Sequence, residues 1–151
     1  MKGELAMKTL SIILILAITL GFGSIAFGQT VMIVNTDNSV STITKSQVTN
    51  IFLGSSSKWN NGLKAMPVDQ AKTTKAGQDF LAKIVGMSES EYKNLWVEKM
   101  LSGEAEPPPV KNSDAEVISF VKENVGAVGF IDASNSDGGV KVLKIDGKTS
   151  W

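Results

Sequence analysis

Three helix starts in this chain are written in the same chemistry, and short β-branched runs lie between them. This alternation limits the fold more than any other feature. Thr44 with Gln47, Ser88 with Glu91 and Ser113 with Glu116 each set a hydroxyl three residues before a Glu or Gln. That is the spacing of a capping box, in which the hydroxyl and the longer side chain satisfy orphan amides of the first turn. Behind the first start, Val48, Ile51 and Phe52 recur on one helical face until Gly54. Behind the second, Tyr92, Leu95, Trp96 and Met100 form the apolar face before Gly103, and behind the third, Val117, Ile118 and Val121 do so before Gly126. A further helix is predicted from about Thr74, with Phe80, Leu81, Ile84 and Val85 inward and Gly86 closing it.

The intervening runs read as strands: Val31-Met32-Ile33-Val34, Ala65 to Val68, Ala127 to Asp132, and Val140 to Ile145. Turn formers fill 35–39 and 135–139, Ser55 to Gly62 is a loop, and Pro107-Pro108-Pro109 favours an extended connector. Strands alternating with helices imply an α/β domain around a central sheet.

The N-terminus bears on compartment. Lys2 and Lys8 precede an apolar run from Leu10 to Leu20, followed by small residues to Gly28, the order of a secretory signal peptide. Ala26-Phe27-Gly28 fits the cleavage rule, so a signal peptide is expected over 1–28 and a mature domain over 29–151, which is 151 − 28 = 123 residues. An uncleaved anchor is the alternative, disfavoured by the shortness of the run. Met7 is a second candidate start. No cysteine follows to carry a lipid, so the expected location is periplasmic or secreted, without stable membrane insertion after cleavage.

Composition narrows the chemistry. The chain has no Cys and no His, which removes thiol and imidazole nucleophiles, the commonest general base and the usual zinc ligands. All 15 basic residues are Lys, so the guanidinium fork that matches phosphate is missing. Any anion must be held by amides, hydroxyls and ammonium. The formal net charge of 0 gives no footprint for nucleic acid. No enzyme activity and no cofactor are expected.

Four landmarks follow in one order: Ile43-Thr44-Lys45-Ser46-Gln47 with Ile51-Phe52-Leu53-Gly54, then Trp59-Asn60, then Pro67-Val68-Asp69-Gln70 before the helix holding Phe80-Leu81, then Gly126-Ala127-Val128-Gly129-Phe130. Together, over roughly 31–135, they resemble part of the phosphate ABC-transporter substrate-binding proteins. The resemblance implies the type II periplasmic binding protein fold, here as a single lobe: three layers, αβα-like, around a central mixed sheet. It also implies a small phosphate-like oxyanion as ligand, and an envelope protein or ABC permease as partner.

In that family the turn after the second strand supplies an arginine and then small hydroxyl residues around the phosphate. Gln70 stands at the arginine position, and Lys72-Thr73-Thr74-Lys75 spans the hydroxyl-rich stretch. The resemblance therefore makes Gln70, Lys72, Thr73, Thr74 and Lys75 the expected oxyanion-binding residues. A helix start there offers free N–H groups and the positive end of the macrodipole. Losing the arginine removes two charge-assisted hydrogen bonds, each worth about 1.5–3 kcal/mol, so binding is expected to be weak. The plainer reading is a Thr N-cap with solvated lysines.

Other constellations carry less. Asp132 to Gly138 fails as a calcium loop, because position 12 would be Leu143. Glu98, Glu104 and Glu106 read as a solvated face, and Trp59 and Trp96 as core. Sequence alone thus points to a solute-binding-like protein, with an envelope interaction or structural protein that kept the fold and lost the ligand as the alternative.

Overall fold

The computed structural model describes residues 28–151; all of the expected signal peptide except Gly28 lies outside them. In chain order the strands are β1 (Thr30–Val34), β2 (Thr42–Ile43), β3 (Met66–Pro67), β4 (Asp69–Gln70), β5 (Val110–Lys111), β6 (Ala127–Asp132) and β7 (Lys141–Ile145). The helices are α1 (Lys45–Phe52), α2 (Lys75–Asp79, continued as a π-helix over Phe80–Val85), α3 (Glu89–Ser102) and α4 (Asp114–Glu123).

The main sheet has the order β2-β7-β1-β6-β3. β1 lies at its centre, antiparallel to β6 and β7, while β2 and β3 join the outer strands in parallel. The sheet is therefore mixed, as expected. Every residue of β1 is buried, because alternate side chains feed two different layers. Val31 and Ile33 face Val117 and Val121 of α4. Met32 and Val34 face Phe52 of α1 and Phe80 behind α2. Pro67, which has no N–H, sits in edge strand β3.

The second layer is organised by three phenylalanines. Ring centroids of Phe52 and Phe80 are 4.6 Å apart and those of Phe80 and Phe130 4.2 Å, the latter pair stacked. Such pairs add about 0.5–1.5 kcal/mol each beyond their buried area. On the opposite face Gly129 lets α4 close onto the sheet. A Cβ there would lie 2.5 Å from Val117 Cγ1 and 2.8 Å from Val68 Cγ1.

Two of the sequence landmarks meet directly. The indole N–H of buried Trp59 donates to Gly126 O at 2.9 Å, tying the tryptophan loop to the head of β6.

Several local expectations shift. Asp69–Gln70 is not a turn but strand β4, because the chain after Pro107–Pro109 runs extended and lies beside it: Asp69 N–H donates to Pro109 O and Ala71 N–H to Lys111 O, both at 2.9 Å. The tight turn falls one step later, over Ala71–Thr74. The boxes at Thr44 and Ser88 close fully, whereas Glu116 returns to the amide of Asn112 rather than Ser113. Met100 is 48% exposed, because α3 packs through a short satellite cluster of Leu81, Tyr92 and Trp96 and not along its length.

Candidate functional site

β4 and β5 are parallel neighbours, and each runs directly into a helix. Two adjacent parallel strands place the helices that follow them side by side, so α2 and α4 begin at the same end of the molecule. Between these starts lies an open cleft of about 520 Å³, lined by Gln70, Thr74, Lys75 and Ala76 from the first connection and by Ser113, Asp114 and Ala115 from the second. Asp132 and Asn135, at the end of β6, close its third side.

The cleft is rich in unspent amides. The N–H groups of Lys75 and Ala76, and of Asp114 and Ala115, have no hydrogen-bond partner among the described residues. They are the orphan donors that any helix start leaves. Ser113 Oγ accepts from Glu116 N–H at 3.3 Å, which leaves its own proton available.

The side chains around these amides are largely committed. Thr74 Oγ1 donates to Ala71 O at 2.8 Å and accepts from Gly77 N–H at 3.1 Å, so it fastens the turn. Gln70 is buried, and its amide donates to Asp114 Oδ1 at 2.8 Å and to Phe130 O at 3.2 Å. Asp114 Oδ2 in turn accepts from Asp132 N–H at 3.0 Å and from Asn135 Nδ2 at 2.8 Å. One carboxylate thus joins β4, α4 and β6.

Of the five residues expected at the site, Gln70, Thr74 and Lys75 line the cleft; Lys72 and Thr73 do not. Lys72 turns inward instead. Its Nζ meets Asp69 Oδ1 at 2.5 Å and Gln70 O at 3.2 Å, over the rings of Tyr92 (5.1 Å), Phe80 (5.5 Å) and Phe130 (5.6 Å). Thr73 is exposed on the turn.

The electrostatics oppose a strong anion site. Lys75 is the one cation in the lining, against Asp114 and Asp132, and it is paired with Asp79 at 2.5 Å. Burial pushes the Asp79 carboxyl up, but hydrogen bonds from Lys75 and Thr30 and the charges of Lys75 and Lys83 outweigh this and hold it below the usual range. Hydrogen bonds from Ser134 likewise lower Asp132. Both carboxylates are ionised at neutral pH. Among the described residues no group of three or more acidic, His or Cys side chains is placed to hold a metal.

Sequence reasoning missed the second wall of the cleft. Ser113 was legible as a helix start, but only the β4–β5 pairing brings it beside Thr74, and that pairing rests on two-residue strands without a hydrophobic pattern.

Solved structures share this architecture. The chain resembles a protein from Clostridium perfringens assigned as a phosphate ABC transporter substrate-binding protein, with phosphate bound, at a TM-score of 0.64 and 21% identity over 80% of this chain. The fold is that of part of such a substrate-binding protein. An ABC-type phosphate transport receptor from Vibrio cholerae matches it at a TM-score of 0.58 and 21% identity over 79% of the chain, and PstS from Borrelia burgdorferi at 0.61 and 15% over 80%. Only 46%, 47% and 48% of those three proteins is covered, so the chain spans less than half the length of the substrate-binding proteins it matches. No family model and no curated protein matches the sequence. Among the described residues no helix is long and apolar enough to cross a membrane.

Proposed function

We propose that this chain is an extracytoplasmic solute-binding protein of the phosphate type that takes a small oxyanion weakly in the cleft between α2 and α4. The observation that carries the reading is the convergence of two helix N-termini, with four unpaired amides, on one open cleft. Helix starts bind anions through such amides and through the positive end of the macrodipole. Of the expected segment Gln70 to Lys75, Lys75 makes the contacts through its ammonium and its amide, and the amide of Ala76, one residue beyond the segment, joins them. Gln70, Lys72 and Thr74 hold the turn in place, and Thr73 lends an exposed hydroxyl at its edge. The Clostridium perfringens neighbour, with phosphate bound, supports the ligand class. An ABC permease or another envelope protein is the partner this role implies.

A second reading has its own support. The two carboxylates in the lining and the internal commitment of Gln70, Lys72 and Thr74 suit a fold that has given up its ligand and serves as an envelope interaction protein.

Titration by thermal shift separates the two. A ligand at 100 times its Kd adds about 2.7 kcal/mol of stability, several degrees for a domain of this size. Under the binding reading, phosphate, sulfate or arsenate at millimolar concentration raises the melting temperature. Asp132→Asn then tightens the binding about fivefold, because removing a surface like charge relieves roughly 1 kcal/mol of repulsion. No shift with any of these anions, in either protein, leaves the interaction reading standing.

A further inference from the structure

A second concavity, far smaller than the first, has the opposite charge. It measures about 180 Å³ and is lined by Lys45 at the start of α1, Lys83 on the π-helix, Lys148 after β7, and the apolar walls of Ile84, Ile145 and Trp151. The acidic side chain in the lining is that of Asp146, whose Oδ1 accepts from the backbone amide of Lys45 at 3.3 Å. Three lysines and one aspartate therefore line this groove, in a chain whose formal net charge is 0.

These cations are poorly compensated. Lys45 and Lys148 make no ion pair among the described residues. Lys83 reaches Asp79 only at 3.6 Å, and that carboxylate is already held by Lys75 at 2.5 Å and by Thr30 at 3.0 Å. The floor is apolar: Ile84 and Ile145 belong to the main core, and Trp151 packs against it. The indole N–H of Trp151, closed off from solvent, meets no acceptor among the described residues.

We propose that this groove binds a small carboxylate with an apolar body, its charged end among Lys45, Lys83 and Lys148 and its body on Ile84, Ile145 and Trp151. Ammonium groups at the rim select for negative charge, and a mostly apolar floor with a few placed polar groups is the usual make-up of a small-molecule site. A bare oxyanion would leave the apolar floor uncovered, so this site and the cleft between α2 and α4 discriminate between ligands by shape.

The test is a titration of the isotope-labelled full mature chain with hexanoate, followed through the three tryptophan indole signals, with Trp151→Phe used for assignment. Hexanoate is expected to move the Trp151 signal while that of Trp59, bonded to Gly126, stays still. Hexanamide, which has the same body without the charge, is expected to move nothing. The double substitution Lys45→Gln with Lys148→Gln keeps the backbone bond to Asp146 and should weaken hexanoate binding at least fivefold with an unchanged melting temperature. A silent Trp151 signal, an equal response to hexanamide, or undiminished binding in the double variant would each overturn the proposal. Inorganic phosphate is the separating arm. Phosphate binding at the cleft leaves Trp151 unmoved, so either site can fail without the other.

Discussion

Replacing Lys72 by Met should destabilise the fold far more than it affects any ligand. Lys72 and Asp69 keep only 12% and 4% of their side-chain surface exposed and meet at 2.5 Å. Removing one partner of a buried pair leaves the other charge uncompensated, which costs about 3–5 kcal/mol. Asp69 Oδ1 retains the amide of Gln70 at 2.8 Å, which pulls the expectation for Lys72→Met toward about 3 kcal/mol. The Met side chain preserves most of the packing against Phe80, Tyr92 and Phe130, so the loss is mainly electrostatic. The double variant Asp69→Asn with Lys72→Met removes both charges and should recover most of the loss, ending within about 1.5 kcal/mol of the parent. Urea unfolding of the four proteins of this cycle measures the coupling directly. A Lys72→Met cost below about 1 kcal/mol, or additive effects of the two substitutions, would mean that the pair is hydrated and Lys72 is free to serve as a ligand.

Further outcomes concern the sheet and the carboxylates. Gly129→Ala should cost about 1–3 kcal/mol in the same unfolding assay, because its Cβ would stand 2.5 Å from Val117 and force α4 off the sheet. Stability should also fall on acidification. Asp79 and Asp132 have folded-state pKa values below their ordinary ones, so their contribution is fully present above the unfolded value of about 3.9 and is lost as pH falls through the folded values. Melting temperatures measured from pH 6 down to pH 2 should hold until about pH 4 and then decline; a rise over pH 4 to 2 would contradict the assignment.

Most elements of this fold could be read from the sequence because they rest on local signals, whereas the layers came from the family resemblance. Thr44, Thr74, Ser88 and Ser113 all cap helices as their hydroxyls suggested, and the β-branched run at Val31 forms the central strand. The order of strands could not be read, since β2, β3, β4 and β5 are two residues each and owe their pairing to distant partners. The site was legible to the same degree. Thr74 and Lys75 stood out as a helix start, but nothing local says that Lys72, two residues earlier, turns inward to a buried aspartate, or that Asp114, 44 residues from Gln70, becomes its partner. Both depend on chain segments that meet only in the folded state.

Under the proposed function, the amides opening α2 and α4 share one oxyanion in the cleft between them. A phosphate titration followed by amide resonances tests it most directly. The signals of Lys75, Ala76, Asp114 and Ala115 should move together along a single binding curve. Movement of the α2 amides alone, or of none of the four, would contradict it.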